Sequence, residues 1–207
     1  MENVAGIHYI ETKESQFLEQ YVELRRRVYL KQYPWLHADF GFADETDRVS
    51  RIVIALRDDG IVAGGARLTV SSPSCARRMP LEEANFSLRD CGFLEDLDLR
   101  RNPYGEVSRM AVDPECARGF EISSGLGNAL CALAAREGLD VLFSICPEKP
   151  ARINHINAKR GGIGFRRYQQ LPTVFGVDMA LCAVTGLLRV YKYSGDFAGP
   201  YAGREAA

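Results

Sequence analysis

The chain has 207 residues, is 46% hydrophobic and 26% charged, and carries a formal net charge of −1. That length suits one domain with a full core, with two small domains as the alternative. The near-zero charge gives no overall electrostatic case for nucleic acid, although Arg25-Arg26-Arg27 and Arg166-Arg167 are local basic spots.

Other classes are disfavoured by pattern. Met1 to Gln20 carries charge throughout, so no signal-peptide apolar region is expected there. No uncharged run reaches membrane-spanning length. Cys75, Cys91, Cys116, Cys131, Cys146 and Cys182 form no C-x-x-C pair, and His8, His37 and His155 are scattered. A zinc site is therefore not expected, and no metal is assigned. The cysteines read as free thiols in a reducing compartment, which implies a cytoplasmic protein.

His8-Tyr9-Ile10 reads as a short first strand. A helix follows from about Ser15, because Phe17, Tyr21, Leu24 and Val28 recur at helical spacing, and Pro34 ends it. Trp35 to Arg48 is polar and aromatic together and reads as a loop able to fold over a substrate. A β-hairpin comes next: Arg51 to Leu56, an Asp58-Asp59-Gly60 turn, and a return strand from Ile61 to Val70. Ser71 to Pro80 is turn-rich, and Leu81 to Leu88 is a short helix candidate.

Tyr104 to Val112 alternates as a strand and is closed by Asp113-Pro114. Within Gly119 to Glu137 the second half is a helix rich in Ala and Leu, ended by Gly138. Val141 to Cys146 is a buried strand, Pro150 to Lys159 a helix, Gly161 to Phe165 a break, and Arg166 to Leu171 a strand. Val177 to Val184 is a last apolar strand or the start of a helix. A single domain over residues 1–194 is expected, with a Gly/Pro-rich disordered tail from 195 to 207. The order gives a mixed α/β (α+β) fold, largely antiparallel in its first half and βαβ-like at its centre.

Five groups of residues can carry chemistry. Arg25 and Tyr29 lie four apart and share a helix face, with Trp35 just beyond; a solvated Arg and a core Tyr are the plainer reading. Asp44 and Asp47 can pair with arginines, or form an acidic turn or helix cap. Arg67 sits in an apolar strand, so it needs a partner if buried, and Asp44 and Asp47 suit it. In Glu106-x-Ser108-Arg109, period two puts Glu106 and Ser108 on one face and Arg109 on the other, unless this is only an exposed strand edge. Ser123 to Asn128, with Gly125 and Gly127, reads as a helix start whose free amides can receive a phosphate or pantetheine, or as a purely structural glycine cluster.

Taken in order, Arg25, Tyr29, Trp35, Asp44, Asp47, Arg67, Glu106 and Arg109 resemble the signature of the acyl-homoserine-lactone (autoinducer) synthases. The matching segments are L-R-R-R-V-Y, Trp35, D-E-T-D, G-A-R-L and E-V-S-R, within residues 20 to 145. The neighbouring N-acyl amino acid synthases share the S-R strand followed by V-D-P, as in Val112-Asp113-Pro114. The chain departs from the pattern at Tyr29 and Met110, where the family has Phe, and in a long stretch after Arg67 that includes M-P-L-E-E at Met79 to Glu83.

The resemblance implies a GCN5-related N-acyltransferase-like fold with a mixed central sheet flanked by helices. It implies transfer of a fatty acyl group from a phosphopantetheine thioester to an amine. The donor would be acyl carrier protein, itself a partner, or coenzyme A. The acceptor would be S-adenosylmethionine, giving an acyl-homoserine lactone signal in quorum sensing, or an amino acid; a non-catalytic acyl-binding member of the fold is the remaining alternative. Glu106 would act as general base, with Ser108 and Arg109 beside it. Arg25, Tyr29, Trp35, Asp44, Asp47 and Arg67 would serve the acceptor. Met110, Ala111, Val112, Gly125, Gly127 and Phe143 would serve the acyl-pantetheine chain. Coenzyme A-dependent members of the wider fold carry Q/R-x-x-G-x-G before the central helix. Ile122 holds the Gln/Arg place here, which favours a carrier-protein donor. No tightly bound cofactor is expected.

Overall fold

The computed structural model describes residues 6–35, 42–82, 88, 97–116, 118–159, 164–171 and 177–193. In chain order the elements are β1 (Ile7–Thr12), α1 (Ser15–Gln32), α2 (Glu45–Val49), β2 (Arg51–Arg57), β3 (Val62–Ser71), a 3-10 turn (Pro80–Glu82), β4 (Tyr104–Val112), α3 (Gly119–Arg136), β5 (Val141–Pro147), α4 (Glu148–Lys159), β6 (Arg166–Gln170), β7 (Met179–Thr185) and α5 (Leu187–Tyr193). The strands form a seven-stranded mixed sheet in the order β1-β2-β3-β4-β5-β7-β6. By contacts the chain divides into two compact units, one from the described residues of 1–68 and 109–130, the other from those of 69–108 and 131–193.

The first unit is built on an antiparallel meander. β1 pairs with β2 from Ile7↔Arg57 to Thr12↔Ile52, and β2 pairs with β3 from Arg51↔Leu68 to Leu56↔Val62. The hairpin turn needs a left-handed residue, which Gly60 supplies at φ 79°. Helix α1 lays Tyr21 and Leu24 against Ile52, Ile54 and Val62. Gly65 allows this contact, since a Cβ there would stand 2.5 Å from the Tyr21 ring.

The second unit holds the parallel step. β4 pairs with β5 at Gly105↔Leu142 and Glu106↔Phe143, β5 runs antiparallel to β7, and β7 to β6. Its core gathers Met79, Leu81, Leu88, Leu99, Tyr104, Phe143, Leu171 and Leu181. Gly138, at φ 79°, closes α3 while Leu139 N–H reaches the Ala134 carbonyl.

Several expectations change. The stretch Trp35 to Arg48 is not all loop: α2 begins inside it, because Asp44 and Asp47 cap it reciprocally. The Leu81–Leu88 helix is, in its described part, only the Pro80–Glu82 turn; residues 83–87 lie outside the described residues. Helix α3 begins at Gly119 and runs through the Ser/Gly cluster, so Gly125 and Gly127 are not at a helix start. Gly125 is tolerated there because Tyr9 packs where its side chain would be: a Cβ would lie 2.1 Å from the Tyr9 ring. Helix α5 was not expected from the sequence. The tail from 195 and residues 161–163 of the glycine break lie outside the described residues.

Candidate functional site

The first unit contains a connected charge network. Arg25 is fully buried, and its guanidinium grips Asp47 with both ends, at 3.0 Å and 2.8 Å, and also donates to the Phe42 carbonyl. Arg67, 1% exposed, donates to Asp44 at 2.7 Å and to Asp47 at 3.0 Å. Arg109 reaches the other oxygen of Asp44 at 3.4 Å. Asp44 and Asp47 also accept from each other's backbone N–H, both at 3.0 Å. A buried guanidinium is stable only when paired and hydrogen-bonded, and here two carboxylates serve three arginines on α1, β3 and β4.

The electrostatics follow. Burial by itself would raise the Asp47 carboxyl, but the Arg25 hydrogen bonds and charge, with the Asp44 amide and Arg67, outweigh it and hold Asp47 below its ordinary value. Burial acts against the charge on Arg25, and the Asp47 hydrogen bond overcomes it, so Arg25 is held protonated more firmly than usual.

Helix α1 also reaches β4 through Tyr21 and Tyr29, which stand four residues either side of Arg25 on the same face. The Tyr21 hydroxyl donates to the Arg109 carbonyl at 2.7 Å, and the Tyr29 hydroxyl to the Met110 carbonyl at 3.1 Å. Burial pushes both phenols up, so they stay donors. Arg109 has φ 56°, a left-handed conformation rare for a non-glycine residue within a strand. Regular strand geometry is thus interrupted at the last residue of the Glu106-x-Ser108-Arg109 run. Such a residue costs of order 1–3 kcal/mol and persists only where its surroundings hold it.

Glu106 belongs to the second unit. It is 1% exposed and accepts from the Leu81 N–H at 2.9 Å on Oε2. Tyr104, Gly105 and Val107 are buried too, so this end of β4 is not an exposed edge. Phe143 faces Glu106 in register and is fully buried in the core, meeting the Tyr104 ring edge-on. Ser108, Met110 and Val112 are half-buried, and Ala111 is buried.

Trp35 lies at the C-terminal side of α1. It is 62% exposed and meets Tyr33 edge-on. Gly125 and Gly127 sit well inside α3, where helix amides are already committed to intrahelical bonds. The pantetheine-receiving helix start proposed at these glycines is therefore corrected. Ile122 is buried, and a Cβ on Gly64 would come within 3.1 Å of it, so its apolar character answers to packing and says nothing about the donor. Tyr21 and Glu82 were not singled out for chemistry from sequence. Tyr21 had a signal, the i−4 position on the Arg25 face; Glu82 had none.

No family model matches the sequence. No curated protein matches it either. Solved structures do. FeeM, an N-acyl amino acid synthase from uncultured soil microbes, is 14% identical and superposes with a TM-score of 0.59 over 86% of this chain and 90% of its own. BjaI, a coenzyme A-dependent acyl-homoserine lactone synthase solved with S-adenosylmethionine and isopentyl-coenzyme A, is 21% identical, with a TM-score of 0.59 over 89% of this chain and 86% of its own. A GCN5-related N-acetyltransferase from Kribbella flavida is 16% identical, with a TM-score of 0.54 over 88% and 99%. The fold is that of the GCN5-related N-acyltransferases. On this fold β4 carries both Glu106 and the left-handed Arg109.

The described cysteines, Cys75, Cys116, Cys131, Cys146 and Cys182, are free thiols. Among the described residues no group of three His, Cys, Asp or Glu side chains is placed to hold a metal, and no helix is long and apolar enough to cross a membrane.

Proposed function

We infer that this chain is a cytoplasmic N-acyltransferase that moves a fatty acyl group from a phosphopantetheine thioester to the amine of S-adenosylmethionine, with lactonisation giving an acyl-homoserine lactone. The observation that carries this reading is the network joining Arg25, Asp44, Asp47, Arg67 and Arg109 on a GCN5-related fold. A structural salt bridge needs one pair. Here two carboxylates are shared among three cations, one of which lies at the left-handed point of β4, an arrangement suited to ordering an acceptor segment.

In this reading Glu106, through water, takes the proton that the amine nitrogen loses as it attacks the thioester carbonyl. The amides of Met110 and Ala111, following the left-handed Arg109, polarise that carbonyl as charge develops on its oxygen. The carbon–sulfur bond of the thioester then breaks and pantetheine leaves as its thiol; in the lactonisation the acceptor's carboxylate oxygen attacks its own γ carbon, the carbon–sulfonium bond breaks and methylthioadenosine leaves. Met110, Ala111, Val112 and Phe143 serve the acyl chain, Tyr29 and Trp35 the acceptor, and Ser108 supports Glu106 on the strand. Because Ile122 answers to packing, coenzyme A and acyl carrier protein stand as equal donors.

An N-acyl amino acid synthase is the second reading, favoured by the likeness to FeeM. Purified protein incubated with acyl-coenzyme A or acyl-carrier protein, and with S-adenosylmethionine or mixed amino acids, separates these by product mass. Acyl-homoserine lactone supports the first reading and N-acyl amino acids the second. Absence of thioester turnover with any amine overturns both and points to a non-catalytic acyl-binding protein.

A further inference from the structure

Glu82 is a buried acidic residue, 6% exposed, with no part in the chemistry above. Its carboxyl group closes on two backbone amides. Oε2 accepts from Met79 N–H at 2.9 Å and Oε1 from Leu88 N–H at 2.8 Å. Its own carbonyl accepts from Arg78, at 3.1 Å from Nε and 2.6 Å from Nη2. The Glu82 N–H in turn closes the 3-10 turn on the Met79 carbonyl at 2.9 Å. One residue therefore ties the chain at positions 78, 79 and 88.

Leu81 lies inside that clamp, and its N–H is the donor to Glu106 Oε2 at 2.9 Å. A peptide N–H has no rotamer of its own. Its direction is set by the backbone on either side, here by the turn that Glu82 folds over. A hydrogen bond to one oxygen of a carboxylate fixes the rotation of that group, and general-base catalysis depends on that geometry.

We propose that Glu82 is a positioning residue for acyl transfer: by tying Met79 and Leu88 it aims the Leu81 N–H that holds Glu106 in its reacting orientation. This rests on the reading of Glu106 as the base. It assigns a role to Glu82, in the long stretch after Arg67 where this chain departs from the signature it otherwise resembles.

The test uses the full chain. Glu82→Gln, Glu82→Ala and Glu106→Gln, singly and combined, are assayed for kcat and KM, with thermal melting and the exchange rate of the Leu81 amide measured in parallel. Glu82→Gln keeps an amide oxygen for one of the two donors and loses the other. Glu82→Ala loses both. The expected result is a fall in kcat with KM unchanged, approaching about 10²-fold for Glu82→Ala, the scale of an ångström-sized misplacement, and smaller for Glu82→Gln. Leu81 exchange should accelerate in the same order. On the Glu106→Gln background the Glu82 change should cost nothing further, because the two act through one interaction.

Should Glu82→Ala not fold, Glu82→Gln carries the comparison. Wild-type kcat in a folded Glu82 variant, or a loss that simply adds to that of Glu106→Gln, overturns the positioning role. Near-normal activity of Glu106→Gln instead overturns the base itself, and with it the mechanism proposed above.

Discussion

The Tyr21 hydroxyl donates to the carbonyl of Arg109 at 2.7 Å, and Arg109 is the strand residue held at φ 56°. A core tyrosine on α1 is thus hydrogen-bonded to the backbone where β4 departs from regular geometry. Tyr21→Phe keeps the ring and removes only the hydroxyl. It should cost about 1 kcal/mol, the typical net contribution of one intramolecular hydrogen bond. Urea unfolding measures this, and the deviation of the Tyr21→Phe/Tyr29→Phe pair from additivity reports their shared hold on consecutive carbonyls. An unchanged midpoint for Tyr21→Phe would show that the hydroxyl does not support the bend.

Asp47 has a signed pH dependence. Its carboxyl is held below the ordinary value in the folded chain by Arg25, the Asp44 amide and Arg67 against the opposing effect of burial. A depressed folded value means the interaction contributes fully above about pH 3.9, the ordinary carboxylate value, and is lost as pH falls through the folded value. Asp47→Asn should lower stability at pH 7 by about 3 kcal/mol, since it leaves the buried Arg25 without its charge partner. It should also flatten the loss of stability below pH 4. Denaturant melts at pH 3, 5 and 7 check both parts, and a variant with the wild-type acid slope contradicts the assignment to Asp47.

Asp47 and Arg67 should be coupled through their 3.0 Å contact. In a double-mutant cycle of Asp47→Ala and Arg67→Ala, the interaction energy should fall between about 0.5 and 3 kcal/mol. Losses that add would place the two residues in separate roles.

The α3 glycines should respond in opposite directions. A Cβ at Gly125 would lie 2.1 Å from the Tyr9 ring, whereas one at Gly127 meets nothing within 4 Å. Gly125→Ala should destabilise by about 1–3 kcal/mol through overpacking. Gly127→Ala should stabilise by about 0.5–1 kcal/mol as a helix-interior replacement. Thermal melts decide this, and a Gly127→Ala protein that is stable but inactive would return that glycine to the site.

Glu106→Gln should lower turnover by about 10²- to 10⁴-fold, the contribution of a positioned base. The amide oxygen can still accept from Leu81, so the melting temperature should hold close to wild type. A folded variant with near-normal turnover would exclude Glu106 from proton transfer.

The charge network was legible because an arginine in an apolar strand demands an acid, and Asp44-x-x-Asp47 offered two carboxylates close together. The parallel step across β4, α3 and β5 was legible from alternation followed by helical spacing. The bend at Arg109 was not, because nothing local marks an arginine for left-handed φ; the hydroxyls that meet its carbonyl and the next come from distant α1. Ser123 to Asn128 misled for the converse reason. Glycine and serine usually punctuate, yet Gly125 lies inside a helix and is glycine because Tyr9 leaves no room for a side chain. The grip of Glu82 was invisible because its partners are backbone amides, which every sequence contains.

Asp44 and Asp47 each cap the other's backbone while binding arginines from distant parts of the chain. Replacing either aspartate with an apolar residue therefore removes a cap and an ion pair together. If the network serves the acceptor as proposed, changes of acceptor choice are expected around the pair, at exposed Phe42 and Glu45 or half-buried Thr46. A library that fixes the two aspartates and randomises those three positions should keep far more folded members than one that varies the aspartates themselves.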